Sequence, residues 1–488
     1  MKKQTLNIRQ SPRLTSWAVT FFLISTVYGQ SELQWTNSMV VASETGYITA
    51  PRIALLPDGK PLVVWGVSGS PSQIRASSYE NGEFLTPVST VEAPFMPSLY
   101  GFAGFDMANS GKDIYIVFEQ LGTGIFLTHS SDGGLTFGPT EIVSSFPSGG
   151  YLLLASVAIN SAGNPLVSYI QSTEKVTWQF QQSQDGGMSF LPPVEVSMNA
   201  PGDAICECCT SDMLVSGDTI WMVFRNNNNN LRDNWMARSS DGGATFDVAQ
   251  DMDNTDWIIN ACPLSGPLMA AMGDSIIAVW KSGWNGTSRV YASTIHRSTM
   301  QLGWQFDFPS SDTTLITQNQ PGVAAKGDTI GVVFQRNGTD IVFSFSATGT
   351  SGFQGNSYQF SIPGHTFQFP TVVFQDGIFH LVYVDETLRQ VIYRQGKVVP
   401  TVPVQEPRPL FNEISIFPNP VSEGFVWVNT GAKECKSWAI LNVLGKIYSM
   451  QDAVGSLVKI DLTGIPSGVY FLKIQTSDRE FVQKLIKN

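Results

Sequence analysis

One eight-residue pattern occurs three times in the middle of the chain. It reads Ser-x-Asp-x-Gly-x-Thr/Ser-Phe and starts at Ser130, Ser183 and Ser239. The three aspartates are 53 and 56 residues apart (185 − 132 and 241 − 185). Repetition at this length indicates an array of similar supersecondary units, each too small to bury its own apolar face. The chain is therefore expected to fold as a series of such units packed against one another.

Each copy reads as a self-contained turn. The aspartate side chain can accept hydrogen bonds from nearby backbone N–H groups, the glycine supplies a residue with positive φ, and the phenylalanine anchors the turn in the core. These stretches resemble the Asp-box of sialidase-type β-propellers. That resemblance implies an all-β propeller fold and no particular activity, and it gives Asp132, Asp185 and Asp241 a structural role.

A second repeat consists of short, continuously apolar segments that follow polar turns. Such segments are typical of strands buried on both faces, as the second strand of a propeller blade is between its neighbours. Seven segments recur every 49 to 56 residues: Pro61–Trp65, Ile114–Phe118, Pro165–Tyr169, Ile220–Phe224, Ile276–Trp280, Ile330–Phe334 and Phe379–Tyr383. They predict a propeller of seven blades. Sialidases have six blades, and six is the alternative number for this chain. The early segment from Glu32 to Val41 is expected to close the ring as the outer strand of the last blade.

The C-terminal segment reads as a small β-sandwich of short alternating strands broken by Pro and Gly. It contains Phe-Pro-Asn-Pro at 417–420, Gly-Val-Tyr-Phe-Leu-Lys-Ile at 468–474 and Lys-Leu-Ile-Lys at 484–487. Residues 414–488 closely resemble the C-terminal sorting domain of the bacterial type IX secretion system, which implies that the secretion machinery is a partner of this domain.

The remaining boundaries follow from composition. Residues 1–29 have basic residues followed by an apolar run and small residues, which predicts a signal peptide. Residues 397–413 contain four prolines and are predicted to be an extended linker. This leaves 30–396 for the propeller. The expected location is the cell surface or the medium, reached through the periplasm, with no membrane span in the mature chain.

Composition excludes one class of partner. The chain of 488 residues has a net charge of −11, so no basic surface is expected to attract nucleic acid. Only 14% of the residues are charged, which suits a turn-rich all-β protein. The oligomeric state is left open.

The topology of a blade predicts where ligand-binding residues lie. Loops that enter the inner strand and loops that leave the second strand share one face, whereas the repeated turns lie on the other. The candidates on the first face are Arg52, Arg225, Arg336 and Asp385. Three arginines would suit a carboxylate, because the guanidinium fork matches its two oxygens.

The resemblance to sialidases is incomplete at the residues that would do chemistry. Arg52 lies in Pro-Arg-Ile-Ala, which is similar to the Arg-Ile-Pro motif of that family but has Ala54 in place of proline. Residues 66–71 offer no aspartate for acid–base catalysis, and no Tyr–Glu nucleophile pair can be assigned. The catalytic residues therefore stay unassigned.

Four cysteines form the most distinctive cluster. Cys206, Cys208, Cys209 and Cys262 are expected at the starts of blades 4 and 5, where they could converge near the funnel. An exported protein favours disulfides between them. Thiolate ligands could instead hold a soft metal, copper or zinc.

Three hypotheses about function follow. The first is a module that binds an extracellular glycan or another polymer at the central funnel. The second is a glycoside hydrolase of the sialidase type, or a lyase. The third is a metal or redox protein that uses the four cysteines.

Overall fold

The computed structural model describes residues 31–202, 204–308, 316–353, 357–400, 414–431 and 433–488. The predicted signal peptide and most of the predicted linker lie outside these residues. The chain divides into two compact units, 1–401 and 402–488. Apart from one 3-10 turn at Ser197–Asn199, the regular elements of the described residues are all β-strands. The part of the chain that the structure describes contains no helix with the length and apolar character of a membrane span.

The larger unit consists of seven blades of antiparallel strands, each of which extends from an inner strand to an outer strand or strands; the strands of blades 3 and 4 are linked into one sheet. Blade 1 has Tyr47–Leu55, Pro61–Ser68 and Gln73–Glu80, with Glu83–Phe84 and Val88–Ser89 outside; blade 2 has Phe105–Ser110, Asp113–Gln120, Gly124–Ser130 and Glu141–Ser145; blade 3 has Tyr151–Ile159, Pro165–Ser172, Val176–Gln182 and Val194–Glu195. Blade 4 has Asp212–Ser216, Thr219–Asn227, Asn234–Ser239 and Val248–Asp251; blade 5 has Leu268–Met272, Ser275–Ser282, Arg289–His296 and Leu302–Asp307. Blade 6 has Gln318–Lys326, Thr329–Arg336, Asp340–Ser346 and Ser357–Ser361; blade 7 has Phe367–Gln375, Ile378–Asp385 and Gln390–Pro400, with Ser31–Trp35 and Met39–Ser43 outside. A short strand, Ala204–Ile205, joins blades 3 and 4.

The seven blades form a closed ring. Each inner strand contacts the inner strand of the next blade, and the inner strand of blade 7 contacts that of blade 1. The seven predicted apolar segments are the second strands of the blades. Their continuous apolar character reflects burial on both faces, since every residue from Leu62 to Trp65 is completely buried. The fold is therefore a β-propeller with seven blades, the larger of the two predicted numbers.

The ring closes through the N-terminal strands. Ser31–Trp35 and Met39–Ser43 both pair antiparallel with Gln390–Pro400, as the pattern predicts. Pairing of Ser31 with Pro400 carries that last strand beyond the predicted start of the linker at 397. The linker prediction is corrected there, because the partner strand supplies hydrogen bonds that keep 397–400 in the sheet.

The three repeated turns join third to outer strands in blades 2, 3 and 4. In the first turn, Asp132 Oδ1 accepts the Thr136 N–H at 3.0 Å and Asp132 Oδ2 accepts its hydroxyl at 2.6 Å. Hydrogen bonds from Ser189 and Thr245, respectively, lower the pKa of Asp185 and Asp241 to about 2. The hydroxyl and amide donors in these contacts all come from the turns themselves, so the aspartates stabilise local structure.

Four inner strands carry an irregularity at the same place. Ala50, Leu154, Gln320 and Phe369 have positive φ, and the pairing register shifts beside each. A bulge of this kind inserts an extra residue, bends the strand and redirects its side chains. In blades 1, 6 and 7 the bulges contribute to the wall of the cavity described below.

The smaller unit is a sandwich of two sheets. One contains Ser415–Phe417, Phe425–Asn429 and Leu457–Asp461, and the other contains Cys435–Asn442, Ile447–Gly455, Gly468–Thr476 and Glu480–Lys487. Val426, Ile440, Ile460, Leu472 and Ile474 are buried between them. The unit thus has a hydrophobic core of its own.

Candidate functional site

The centre of the ring contains a cavity of about 210 Å³. We call it the central cavity. Its wall comes from inner strands, or from the loops before them, in blades 1, 2, 4, 5, 6 and 7. The lining residues are Ala50, Pro51, Arg52, Phe102, Asp106, Thr210, Asp212, Leu264, Ser265, Gly266, Leu268, Met269, Gln320, Pro321, Gly322, Val323, Phe369, Pro370, Thr371 and Val372. Inner strands begin on the face opposite the repeated turns, so the cavity lies toward the predicted ligand-binding face.

Arg52 is the predicted ligand-binding residue that the structure places in this cavity. Its Nε donates to Asp106 Oδ1 at 2.9 Å, and its Nη1 lies 3.3 Å from the backbone oxygens of Ala50 and Pro51. Within the described residues, Arg52 Nη2 has no hydrogen-bond partner, and it is not a buried atom. The Nη2 edge of the guanidinium therefore remains free to donate hydrogen bonds to a ligand.

Two aspartates of the cavity wall were missed by the sequence reasoning. Asp106 Oδ2 accepts the backbone N–H of Val157 at 3.1 Å, and Asp212 Oδ2 accepts that of Met269 at 2.8 Å. Both bonds join one blade to the next. The only signal in the sequence is the position of each aspartate at the start of an inner strand, and this position can be recognised only when the bounds of the blades are known.

Asp212 has a strongly shifted acidity. Burial, with the charge of Asp106 adding to it, raises its pKa from the ordinary value of 3.8 to about 7. Near neutral pH this carboxyl is therefore partly protonated, whereas Asp106 is held in an ion pair with Arg52.

The shift predicts a dependence of stability on pH. Because the folded-state pKa of Asp212 exceeds the unfolded value, the folded protein binds more protons than the unfolded chain between about pH 4 and 7. Stability should fall as the pH rises through that window, by at most about 1.4 kcal/mol per pH unit for this group. Melting temperatures of the wild type and Asp212→Asn between pH 4 and 8 test this.

The variant should show a flatter profile. The melting temperature of Asp212→Asn should still depend on pH, because two other aspartates titrate in the same range: burial raises the pKa of Asp233 to about 7 and that of Asp251 to about 6. Identical profiles for the wild type and Asp212→Asn would show that Asp212 ionises normally in the folded protein.

Arg225 lies in the core and is 0% exposed. Its Nη1 and Nη2 each donate at 2.6 Å, to the backbone oxygens of Arg232 and Lys281. Its guanidinium also lies 5.5 Å from the ring of Trp257. This position corrects the prediction of a ligand-binding residue, because the guanidinium already satisfies carbonyls of blades 4 and 5 and has no accessible surface.

Arg336 and Asp385 are also removed from the central cavity. Arg336 forms an ion pair with Asp340 at 3.0 Å, and Asp385 is 1% exposed and shares a hydrogen bond of 2.7 Å with His365 Nδ1. Their partners Asp340 and His365 line a separate, open depression. The three arginines are thus not brought together, and the carboxylate-gripping arrangement expected from the sequence is absent among the described residues.

Three of the four predicted cysteines do converge. The Sγ atom of Cys206 lies 3.5 Å from that of Cys208 and 3.2 Å from that of Cys209. Cys262, by contrast, is exposed and is outside this group. The prediction of a four-cysteine cluster is therefore corrected to three, because the loop before blade 5 leaves Cys262 at the surface.

The thiols share hydrogen bonds. Those between Cys206 and its neighbours Cys208 and Cys209 are the largest causes that lower the pKa of Cys206, and the charges of Arg225 and Arg232 act in the same direction. The pKa of Cys208 is correspondingly raised. Cys206 is therefore the preferred position for a thiolate.

Comparison with known proteins identifies one domain. Residues 415–488 match the family described as Secretion system C-terminal sorting domain. No curated protein matches the chain.

Solved structures offer low-identity similarities. An α-L-arabinofuranosidase from Fusarium graminearum is 12% identical, with a TM-score of 0.41 over 76% of this chain and 98% of its own. A leech intramolecular trans-sialidase is 11% identical, with a TM-score of 0.38 over 75% and 70%. A polysaccharide lyase, PL25 ulvan lyase, is 11% identical, with a TM-score of 0.47 over 75% and 94%. The propeller fold of this chain is established by its own strand pairing and ring closure.

The sorting domain has a direct consequence for location. The family match covers all seven strands of the smaller unit, and it includes the sequence motifs that resemble type IX sorting domains. Residues 415–488 are thus a type IX secretion sorting domain, and the protein is one that this system exports to the cell surface or the medium.

Proposed function

We propose that the exported propeller binds an extracellular glycan by taking one uncharged terminal sugar into the central cavity. The observation that carries this proposal is the free Nη2 of Arg52 in a cavity that also presents hydroxyl and aromatic side chains. A sugar ring has hydroxyl groups at its edge and C–H groups on its faces. Thr210 and Ser265 can form hydrogen bonds with the sugar hydroxyl groups, and the rings of Phe102 and Phe369 can pack against the C–H groups.

The size of the cavity supports a single terminal residue. Sites that enclose a drug-sized molecule have volumes of roughly 300–1,000 Å³. The central cavity, at about 210 Å³, is smaller. A single sugar ring at the end of a chain therefore suits it better than an internal stretch of polymer.

The charge balance supports an uncharged sugar. Arg52 is paired with Asp106, and Asp212 adds a partial negative charge near neutral pH. A sugar carboxylate would thus meet a site without net positive charge, in a protein of net charge −11. This argues against sialic and uronic acids as the preferred ligands.

Binding without cleavage is favoured by the chemistry of the wall. The residues that line the described cavity include no tyrosine, histidine or glutamate. A sialidase-type reaction needs a tyrosine nucleophile, and other glycosidases need two available carboxyl groups. Asp106 and Asp212 are the carboxyl groups present, and both already accept backbone hydrogen bonds.

Arg52→Met tests the proposal. Loss of a hydrogen bond from a charged donor should weaken binding about 10- to 150-fold, since such bonds contribute about 1.5–3 kcal/mol. The matched control is Arg75→Met, because Arg75 is also ion-paired, to Glu44, but lies outside the cavity. Affinities of the full exported protein would be measured on an immobilised panel of neutral oligosaccharides, with lactose and 3′-sialyllactose as a matched pair in solution.

A second variant guards against a merely destabilised protein. Thr371→Phe should fill the cavity and abolish binding while leaving the Arg52–Asp106 pair in place. Preferential binding of the sialylated sugar would overturn the choice of an uncharged ligand. Release of sugar from any member of the panel would replace binding by hydrolysis, and wild-type affinity in both cavity variants would move the site elsewhere.

A further inference from the structure

Cys206, Cys208 and Cys209 do not line the proposed sugar site, although Cys209 directly precedes Thr210 of its wall. One ligand atom from each of these residues lies within 4.8 Å of the other two. Cys206 and Cys209 are fully buried, whereas Cys208 is partly exposed. Three sulfurs at such separations can surround one small atom, and the exposed side of Cys208 offers a path to it.

The surroundings of the cluster supply positive charge. Arg232 Nη1 donates to Cys206 Sγ at 3.1 Å and lies 3.8 Å from a carboxylate oxygen of Glu207. Arg232 is itself held in place, since its Nε donates to the Ile259 oxygen and its own oxygen accepts from Arg225. The Cys206 N–H donates to the Arg225 oxygen at 3.0 Å. The loop that carries the thiols is thus tied to two buried or nearly buried arginines.

We propose that Cys206, Cys208 and Cys209 bind one monovalent copper ion as a three-thiolate site. Soft thiolate ligands select Cu(I) and Zn(II) among biological metals. Structural zinc sites use four protein ligands, and the zinc sites that use three protein ligands and a water include at least one histidine. No histidine and no fourth cysteine or carboxylate joins this group within the described residues. Three sulfurs without a fourth ligand therefore favour Cu(I).

The charges of the occupied site balance. Binding of Cu⁺ displaces the thiol protons to solvent, so that three thiolates and one Cu⁺ carry a net charge of −2. Arg225 and Arg232 supply two positive charges beside it, and the positive charge of Lys281 offsets the negative charge of Glu207. The N–H···S bond from Arg232 has the role of the outer hydrogen bonds that orient and stabilise metal ligands.

A disulfide between two of these cysteines is the alternative to the copper site. One disulfide would consume two of the three cysteines and leave the third without a partner in the cluster. The copper site uses all three, so the two alternatives differ in thiol count as well as in metal content.

The test is anaerobic titration of the reduced full-length protein with Cu(I) against a chromogenic Cu(I) chelator. We expect one copper per chain, with ultraviolet absorption from thiolate-to-copper charge transfer. Cys206→Ser, Cys208→Ser and Cys209→Ser should each lose that absorption and the tight binding. Cys262→Ser and Cys435→Ser are matched controls, because these cysteines lie outside the cluster and should leave the stoichiometry unchanged.

Two further measurements can overturn the proposal. Arg232→Met should weaken Cu(I) binding 10- to 100-fold while preserving the stoichiometry. Displacement of Cu(I) by an equal concentration of Zn(II) would contradict the choice of metal. Unchanged copper uptake in the three cluster variants, or peptide mapping of the exported protein that finds a disulfide among these cysteines and no metal, would rule the site out.

Discussion

Replacing Arg225 by methionine should lower the free energy of unfolding by about 2–6 kcal/mol, since each of two buried carbonyl acceptors that loses its donor costs about 1–3 kcal/mol. The side chain is 0% exposed and donates to the backbone oxygens of Arg232 and Lys281 in two blades. Methionine fills a similar volume but leaves both buried carbonyls without their donors. Urea denaturation of the exported protein, followed by tryptophan fluorescence, would show a lower midpoint.

Arg336→Met is the matched control. Arg336, like Arg225, lies near the end of the second strand of a blade, but its side chain is 22% exposed and pairs with Asp340 four residues away. Partly exposed pairs of this kind contribute about 0–1 kcal/mol. Equal midpoints for the two variants would show that Arg225 is not a structural link, and a loss of glycan affinity in a fully stable Arg225→Met protein would return it to the ligand-binding residues.

The second large effect is expected at Gly243 in the repeated turn of blade 4. A Cβ atom at this position would lie 2.2 Å from Cε1 of Phe180, in the neighbouring blade. Phe180 is 1% exposed and packs edge-on against Phe246, the phenylalanine of the same turn, so the ring has little room to move. Gly243→Ala should therefore cost about 1–3 kcal/mol for overpacking, in addition to the cost of an alanine at φ of +90°.

The adjacent Gly242 separates these two contributions. It also has positive φ, +74°, but a Cβ there meets nothing within 4 Å. Gly242→Ala should thus show the conformational cost alone, about 1–2 kcal/mol, and remain the more stable variant. If both alanine variants unfolded at the same denaturant concentration, the turn would not be packed against Phe180 as described.

Much of the fold could be predicted because it depends on local patterns that repeat. The three turns use hydrogen bonds within eight residues, and the second strands are apolar on both faces whichever neighbours cover them. The N-terminal strand could be assigned to the last blade because a ring needs an outer strand there. The sorting domain carried an ordered set of motifs, and its family match confirms it.

The candidate site was harder to predict because it combines residues from six blades that are far apart in the sequence. Arg52 was identified, but its partner Asp106 and the nearby Asp212 had no motif around them. Arg225, Arg336 and Asp385 were predicted from their places at strand ends. A strand end does not reveal whether a side chain turns toward the cavity, as Arg52 does, or into the interface between blades, as Arg225 does.

The sequence by itself determined that this is an exported all-β protein with repeated blades and a sorting domain, because these properties depend on local hydrogen bonds, on apolar runs and on contiguous motifs. Only the tertiary structure decided which chemistry-bearing side chains meet. It placed Arg52 in the central cavity, buried Arg225 between blades and separated Cys262 from the other three cysteines. The physical reason is that closing the ring sets the direction of each side chain through packing between blades distant in sequence, and no local pattern records that packing.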